Sequence, residues 1–459
     1  MSHSNKIYAL LISVVVLTLV GINVHSLISP KNTDRIESSA TSSDEMAYAT
    51  TTESASTTAS SSDPIQVLSY TFTGYGKNDH GQIAGPISSE TVRKPYTIKT
   101  PYEITKLFAG KGHTLALTKE GDVLSWGQND TGQLGYKTGG KQSNIPKKIE
   151  ELKEIVGLSS TGNHSLAVNK NGEVYAWGLN FTGQLGTGDR INSEVPKMVQ
   201  GLPAISKVAA GHKFSLAATK NGEVYAWGAS CDTSASKRAK VLLEKMGSNI
   251  LGLQGGYYDN TSNSNTSYDL DQDCLNEETI KIKSMTPVKL PVSGITQMSV
   301  GYGHALMLTS SGKVIAFGCN LYGQVGNEPG QKKGQWMRTV DGLENVKAVA
   351  AGARHSLFLT KDGSVYAAGA NFSGQLGDRT DINRGTVAKV AGLPAISEIY
   401  AGFDYSIAVA NDGTVWAWGI NNDNFLVDNL PARIDLPVQI SDKKPRQVTA
   451  GGMYVLFKY

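Results

Sequence analysis

Charged residues are scarce in this sequence, at 18% of 459 residues, and the formal net charge is only +3. No basic block is longer than a few residues, which argues against a nucleic-acid binder, because such proteins need a clustered cationic surface. Cysteine is scarcer still: three residues allow one disulfide and one remaining thiol. Glycine is abundant at 50 residues, and few charges with many glycines are typical of an all-β protein with tight turns.

The sequence also lacks a recognisable catalytic or cofactor-binding motif. A recurring Gly-Gln-Leu-Gly has neither the Lys nor the Ser/Thr of a phosphate-binding loop, and no helical pattern follows it. The spacing Asp269-x-Asp271-x-Asp273 resembles the start of a calcium loop, but Cys274 and Ile280 replace its required Gly and Glu. We therefore expect a non-enzymatic protein with no catalytic residue, no cofactor and no metal.

The longest apolar run lies near the N-terminus, at residues 7–24, and follows Lys6. It is long for a signal-peptide core and just long enough for a membrane span. Residues 1–26 are therefore predicted to be a signal anchor, with a transmembrane helix at about 7–24, or a signal peptide cleaved near Ser26. A buried core helix is a third interpretation. Either of the first two places the rest of the chain outside the cytoplasm.

Residues 27–65 are predicted to be a flexible linker. The stretch from Ser39 to Asp63 is mostly Ser, Thr and Ala, with few large apolar side chains. Such a segment cannot bury enough surface to offset the entropy of ordering it. It is expected to act as a spacer if the N-terminal segment stays in the membrane, and as an ordinary tail otherwise.

A unit of about 51 residues recurs from residue 66 onward. Each copy is marked by the aromatic or small residue that precedes the glycine of a Trp-Gly pair or of its equivalent. Successive markers lie 51, 51, 50, 90, 51 and 50 residues apart. A His or an aromatic residue lies 13 residues before every marker except the first. The markers are Tyr75, Trp126, Trp177, Trp227, Phe317, Ala368 and Trp418, and the preceding residues are His113, His164, Phe214, His304, His355 and Tyr405.

The first marker, Tyr75, has its counterpart at the opposite end of the chain, at Tyr454. A period near 50 with four short strands per unit favours a β-propeller. If the last residues supply two strands and residues 67–98 supply two more, the ring closes and no sheet face is left exposed. The sequence thus predicts an all-β fold over residues 66–459: a seven-bladed β-propeller of four-stranded antiparallel blades, with N- and C-terminal strands sharing one blade.

The repeated motif resembles that of a known protein family. Gly-x-x-His-Ser-Leu-Ala-Leu, followed by Gly-x-Val-Tyr-Ala-Trp-Gly-x-Asn-x-x-Gly-Gln-Leu-Gly, is similar to the regulator of chromosome condensation repeat. The resemblance implies a seven-bladed propeller. It also implies more than one possible function, because the founding member of the family resembles a nucleotide-exchange factor for a small nuclear GTPase, and one relative is a secreted bacterial inhibitor of β-lactamases. The export signal favours a bacterial, exported member.

The recurring His113, His164, His304 and His355 share one repeat position on four different units. A catalytic histidine would be singular, so we predict a structural role in blade packing or hydrogen bonding. The recurring tryptophans are predicted to be core between blades for the same reason.

One unit is about 39 residues longer than the others, with an insertion at about 229–285. Cys231 and Cys274 lie near its two ends. In an oxidising compartment a disulfide between them would fix the base of the insertion, and two unpaired thiols are the alternative. Cys319 is expected to be the remaining thiol.

Topology predicts a partner-binding face. In a four-strand meander the first-to-second and third-to-fourth connections emerge on one face, which also carries the insertion. Aromatic and charged residues that the repeat does not impose are typical of a protein-binding surface, although they could instead fold back onto the blade rim. The candidate residues are Lys111, Phe181, Lys213, Tyr302, Tyr322, Arg354, Phe372, Phe403 and Asp404.

These features together predict an extracytoplasmic, monomeric, non-enzymatic propeller, membrane-anchored or secreted, that binds a protein or a cell-envelope component and no nucleic acid. Uncleaved, its N-terminal segment would contact the membrane. One alternative is an exchange-factor-like regulator of a small GTPase, which requires a cytosolic location. The other is an enzyme that uses the central channel, but the inner strands read mostly Ala, Val, Gly, Ser and Thr.

Overall fold

Short antiparallel strands in sheets of four make up nearly all of the secondary structure in residues 68–229, 283–328 and 337–459, which a computed structural model describes. The chain divides into two compact units, Met1–Asp63 and Pro64–Tyr459, and every described residue belongs to the second. Seven sheets are present, and in each the neighbouring strands pair antiparallel.

The strands follow one another blade by blade. The chain opens with β1 (Leu68–Asn78) and β2 (Ser88–Thr100). Blade 1 has β3 (Ile104–Ala109), β4 (His113–Thr118), β5 (Val123–Gly127) and β6 (Ser143–Lys148). Blade 2 has β7 (Ile155–Ser159), β8 (His164–Asn169), β9 (Val174–Gly178) and β10 (Ser193–Met198). Blade 3 has β11 (Ile205–Ala210), β12 (Phe214–Thr219), β13 (Val224–Ala229) and β14 (Lys283–Lys289).

The second half repeats this order. Blade 4 has β15 (Ile295–Val300), β16 (His304–Thr309), β17 (Val314–Gly318) and β18 (Met337–Thr339). Blade 5 has β19 (Val346–Ala351), β20 (His355–Thr360), β21 (Val365–Gly369) and β22 (Arg384–Lys389). Blade 6 has β23 (Ile396–Ala401), β24 (Tyr405–Ala410), β25 (Val415–Ile420) and β26 (Arg433–Ser441), with a 3-10 turn at Asn422–Asn424. The chain ends with β27 (Gln447–Ala450) and β28 (Tyr454–Lys458).

Blade 7 combines the two ends of the described propeller, in the order β2-β1-β28-β27, with Tyr454 opposite Gly76. This arrangement confirms the predicted seven-bladed ring and its shared blade. Blade 7 also bonds to blade 1, because Gln447 donates to the carbonyl of Leu107 (2.6 Å) and accepts from its N–H (3.0 Å). The C-terminal strands therefore close both a sheet and the ring.

The glycine of each Trp-Gly pair lies where the backbones of the second and third strands approach too closely for a side chain. Gly369 lies opposite His355 and has φ +116°. A Cβ there would lie 2.5 Å from the carbonyl oxygen of Arg354. Glycine alone accepts both the left-handed backbone and the contact. The repeat thus keeps this glycine even where the preceding tryptophan is replaced.

Apolar cores lie between neighbouring blades. One cluster joins Leu115, Leu117 and Leu134 of blade 1 to Leu158 and Trp177 of blade 2. The four recurring tryptophans are fully buried, which confirms their predicted role as core. Burial of one such side chain contributes about 4–6 kcal/mol as an upper bound from its area.

Several predictions concern residues that the structure does not describe. The apolar segment 7–24, the linker 27–65, most of the 229–285 insertion and the Asp269-x-Asp271-x-Asp273 stretch all lie outside the described ranges. Within those ranges, no helix has the length and hydropathy to cross a membrane. Likewise, no group of three or more His, Cys, Asp or Glu among the described residues could hold a metal ion.

Cys319, just after β17, is disulfide-bonded. The expectation that it is the remaining unpaired thiol is therefore wrong. The chain's two other cysteines, Cys231 and Cys274, lie outside the described residues.

Candidate functional site at the mouth of the channel

Two kinds of connection meet on one face of the propeller. In blade 1, His113 at the start of β4 lies opposite Gly127 at the end of β5, and Gly127 lies opposite Ser143 at the start of β6. The same register holds in blade 5. The first-to-second and third-to-fourth connections therefore emerge together, as predicted. We call this side of the molecule the loop face.

The seven first-to-second connections form an inner ring around the channel: residues 110–112, 161–163, 211–213, 301–303, 352–354, 402–404 and 451–453. Backbone hydrogen bonds of 3.0–3.4 Å link these loops across blades. They join Gly452 N to Gly110 O, Lys111 N to Gly162 O, Tyr302 N to Ala353 O, Ala353 N to Phe403 O, and Phe403 N to Gly452 O. The inner ring is thus held in shape before any partner arrives.

Side chains of the Asn-x-x-Gly-Gln-Leu-Gly motif hold the third-to-fourth connections in those described blades that carry it. In blade 2, the Oδ1 atom of Asn180 accepts from Leu185 N, and the Oε1 atom of Gln184 accepts from Thr182 N, each at 2.9 Å. Blade 6 lacks the text but keeps the bond from Leu426 N to Asn421 Oδ1 at 2.9 Å. The motif thus forms a turn, as interpreted from the sequence, and the Asn side chain holds that turn together.

The repeated histidines join one blade to the next. His164 Nε2 lies 2.8 Å from the hydroxyl of Ser215 on the next blade, and this hydroxyl donates to the carbonyl of Gln184 at 2.7 Å. The same carbonyl accepts the indole N–H of Trp227 at 2.8 Å. Because the serine proton is used, the histidine must donate through Nε2. The predicted structural role of these histidines is confirmed.

This junction recurs around the ring with substitutions in both partners. His113, His304 and His355 contact the hydroxyls of Ser165, Ser356 and Ser406 at 2.9–3.0 Å. Tyr454 replaces the histidine in blade 7, where its hydroxyl lies 3.0 Å from that of Thr114 and donates to His113 O at 2.6 Å.

The junction of blades 3 and 4 is apolar instead. Phe214 replaces the histidine, and the position of the serine on the next blade is Ala305. Both are fully buried in one cluster, and the Phe214 ring packs 5.9 Å from that of Phe317. An unmatched polar atom is avoided because both members change together. Blade 3 is also the blade with the insertion.

Burial keeps the four repeated histidines neutral. It lowers the pKa of His113, His164 and His355 to about 3 and that of His304 to about 4. Their Nδ1 atoms have no hydrogen-bond partner within the described part of the chain, so nothing there would stabilise a second proton. These rings are unsuited to acid–base chemistry near neutral pH.

All nine predicted face residues lie in connections of the loop face, and all are half-buried. Their role in binding stays a prediction. Some pack on one another: the Tyr322 and Phe372 rings meet edge-on at 5.9 Å, and the Arg354 guanidinium lies 5.1 Å from the Phe372 centroid. Packing onto the blade rim and display on a binding surface are thus compatible for these side chains, since the packed groups are still partly exposed.

An aromatic cluster stands at the centre of the inner ring. His212 stacks on Tyr302 at 3.8 Å and 16°, and Tyr302 meets Phe403 edge-on at 6.0 Å and 82°. All three line a small pocket at the mouth of the channel, together with Thr161, Ala353 and Gly451. The small side chain at Ala353 lets Tyr302 of blade 4 reach Phe403 of blade 6.

His212 was missed by sequence reasoning. Its ring is 7% exposed, and burial, together with the charges of Lys111 and Lys213, lowers its pKa well below the ordinary value. A signal was available, since the third copy reads Gly-His-Lys-Phe, with its histidine two residues before the position of the repeated histidine. This copy thus has a histidine at the channel mouth and none at the blade junction.

Exposed aliphatic side chains on the rim were also missed. The described residues contain ten exposed large hydrophobic side chains, of which six lie in the third-to-fourth connections or at the start of the fourth strand. Six blades supply one each: Ile87, Ile145, Ile191, Met285, Leu321 and Ile382. They fall at slightly different repeat positions, so no single column of the repeat reveals them.

Comparison with known proteins agrees with this architecture. The model of the RCC1-like domain matches residues 71–457. The chain belongs to the RCC1-like domain family. It is 30% identical over 334 residues to the ultraviolet-B receptor UVR8 of Arabidopsis thaliana, covering 72% of this chain and 66% of the receptor. It is 32% identical over 255 residues to the human probable E3 ubiquitin-protein ligase HERC6, covering 54% of this chain and 21% of that protein.

Two solved structures share the fold. Prp20p of Saccharomyces cerevisiae superposes with a TM-score of 0.65 at 22% identity, over 85% of this chain and 91% of Prp20p. Human WBSCR16 superposes with a TM-score of 0.63 at 20% identity, over 84% of this chain and 99% of that structure. This chain spans about two thirds of the receptor's length and about a fifth of the ligase's.

The buried histidines make the free energy of unfolding of this RCC1-like propeller depend on pH. The ordinary pKa of His in an unfolded chain is about 6.5, whereas the folded values are about 3 to 4. Between these values the unfolded state binds more protons, so stability falls as pH falls from about 6.5, by up to about 1.4 kcal/mol per pH unit and histidine. Urea unfolding from pH 7.5 to 4.5 measures this slope. A His304→Phe/Ser356→Ala variant should show a shallower slope, and an unchanged slope contradicts the assignment.

Proposed function

We propose that this protein is a non-enzymatic binding scaffold, which holds a protein partner on the loop face of its propeller. The observation that carries the proposal is the placement of apolar surface. Six of the ten exposed large hydrophobic side chains in the described residues are on this face, around an aromatic cluster at the channel mouth. Exposed apolar groups around aromatic anchors are typical of protein interfaces.

Rigidity of the face supports the same function. The inner-ring loops and the third-to-fourth connection of blade 2 are held by internal hydrogen bonds, so little ordering entropy is lost when a partner binds there. The inner-ring loops keep one length in all seven blades, and their side chains differ between copies. Such a scaffold can present different surfaces without a change of fold.

The relatives favour a protein partner as well. Prp20p has been examined for binding to Gsp1p and histones, and it has been seen bound to Kap60. HERC6 is a probable ubiquitin ligase of which this chain matches only 21%, so that activity does not transfer with the propeller. A propeller of this family is therefore a reasonable base for protein recognition without chemistry of its own.

We further propose an extracytoplasmic location in a bacterium, with the propeller tethered or secreted. The apolar run at residues 7–24 and the Ser/Thr-rich stretch that follows support it. A cell-envelope protein is then the expected partner. The alternative, a cytosolic regulator of a small GTPase, draws on the resemblance to the chromosome condensation family.

Simultaneous replacement of Tyr302, Arg354 and Phe403 by Ala should abolish partner binding. These residues supply two aromatic anchors and a cation beside the channel mouth, and loss of such groups typically costs at least tenfold in affinity each. Affinity purification from the native host, with identification by mass spectrometry, measures the loss for each captured protein.

The control replaces Lys119, Lys220 and Lys361 by Ala on the opposite face, where the hairpin turns lie. Both variants should keep the far-ultraviolet circular dichroism spectrum of the wild type. Partners captured equally by the loop-face variant and the wild type would contradict the assignment of this face.

Protease treatment of intact cells should degrade the propeller if it is extracytoplasmic. The reporter is an antibody epitope appended after Tyr459, and a cytosolic protein of the host serves as the protection control. Loss of the epitope while the cytosolic control survives is the expected outcome. A protected propeller would overturn the location and favour the GTPase alternative.

A further inference from the structure

One side of the loop face is apolar at a repeat position where the other side is polar. In six blades the Oδ1 atom of an Asn accepts a backbone N–H five residues later at 2.8–3.0 Å, so the residue after this Asn occupies an equivalent position. Blades 2, 4 and 5 carry Phe181, Leu321 and Phe372 there. Blades 6, 7 and 1 carry Asn422, Asp79 and Asp130. We call the loop face of blades 2 to 5 the apolar sector.

Blades 2 and 3 form one continuous part of this sector. The Asn180 side chain, next to Phe181, donates to the carbonyl of Ile191 at 3.1 Å, so both apolar residues belong to one loop. Gly188 of the same loop donates to the carbonyl of Met285 on blade 3 at 2.9 Å. Ile191 is 68% exposed and Met285 is 39% exposed, so this part presents aliphatic surface to water.

Blades 4 and 5 form the other part. Leu321 is 44% exposed, and the ring of its neighbour Tyr322 meets the Phe372 ring edge-on at 5.9 Å across the two blades. Ile382, in the same connection as Phe372, is 68% exposed. Apolar surface of this kind is normally buried by a partner or by another part of the chain.

The insertion leaves and re-enters the propeller in the middle of the apolar sector. Ala229 and Lys283 are paired in register at the ends of β13 and β14, between blades 2 and 4. Residues 230–282 contain a run of large apolar side chains that begins about twelve residues after Ala229, a distance that a connecting chain spans over about 20 Å. The run consists of Val241, Leu242, Leu243, Met246, Ile250, Leu251 and Leu253.

A covalent bond involves the same sector. Cys319, two residues before Leu321 on blade 4, is disulfide-bonded. The chain's two other cysteines, Cys231 and Cys274, both belong to residues 230–282. A disulfide that Cys319 forms within one chain is therefore a bond between blade 4 and the insertion.

We propose that residues 230–282 dock on the apolar sector of their own chain. The run at 241–253 covers the exposed aliphatic side chains, and Cys319 bonds to a cysteine of the segment. Attachment at both ends gives the segment a high effective concentration at this surface, so it outcompetes a second copy of the chain. The inner ring and blades 6, 7 and 1 are then left for the partner proposed above, but the docking does not depend on that partner.

Peptide mapping without reductant tests the covalent part. The exported full-length protein is alkylated before digestion, and the Cys319 peptide should be found linked to a peptide that contains Cys231 or Cys274. An alkylated Cys319, with Cys231 and Cys274 bonded to each other, would overturn this part of the proposal. A link between two copies of Cys319 would overturn it as well.

Photo-crosslinking of the full-length chain tests the docking itself. A p-benzoylphenylalanine residue placed at Leu321 or at Ile191 should link to peptides from residues 230–282 within the monomer. The matched control position is Ile145, which is 69% exposed on blade 1 and should give at least about fivefold fewer such links. Equal yields at Ile145, or links from Leu321 only to a second copy, would overturn the docking.

Removal of the segment supplies an independent measurement. Because Ala229 and Lys283 are already paired, a two-residue Asn-Gly turn can replace residues 230–282. This variant should raise the fluorescence of the apolar dye 1-anilinonaphthalene-8-sulfonate at least about twofold, and adding Ile191→Ser and Leu321→Ser should remove the gain. An unchanged fluorescence, with the far-ultraviolet circular dichroism of the wild type, would show that the sector is not covered. That result leaves the proposed partner binding untouched, since the Tyr302, Arg354 and Phe403 replacements test it at the inner ring.

Discussion

The propeller depends on matched junctions between neighbouring blades: the repeated form is hydrogen-bonded, and the junction of blades 3 and 4 is apolar. A histidine donates to a serine on the following blade, and this serine and a tryptophan both bond to one glutamine carbonyl of the first blade, as in the set His164, Ser215, Gln184 and Trp227. These groups are fully buried, and an unmatched buried donor would cost about 1–3 kcal/mol. The requirement that both sides match explains why Phe214 faces Ala305 and why Tyr454 faces Thr114.

Much of this architecture follows from periodicity alone. The 51-residue interval, the Gly opposite each His and the displaced copy at Tyr454 are enough to predict seven blades and the shared blade. The face could also be predicted, because a meander places alternate connections on one side. The partners of the histidines could not, since the serine follows a different histidine by one residue and only the fold shows that it belongs to the next blade.

The residues that make up the candidate site were harder to predict than the face on which the site lies. His212 occurs at this position in only one copy of the repeat. The aromatic cluster that it forms with Tyr302 also depends on the small side chain of Ala353, which lies on a different blade. Cys319 is predicted from the sequence to be an unpaired thiol, and its bonded state could not be read there because a disulfide depends on distance in space. Scaffold residues repeat and can be counted, whereas the proposed binding residues lie where the copies differ.

A double-mutant cycle at His355 and Ser406 measures the dependence of the ring on its junctions most directly. Ser406→Ala should leave the buried Nε2 donor of His355 unmatched, and each single replacement should lower the free energy of unfolding by about 1–3 kcal/mol. The His355→Phe/Ser406→Ala double variant reproduces the natural Phe214 and Ala305 pair, so its loss should be smaller than the sum of the single losses by about 1 kcal/mol or more. Additive losses would contradict a stabilising contact across the blades.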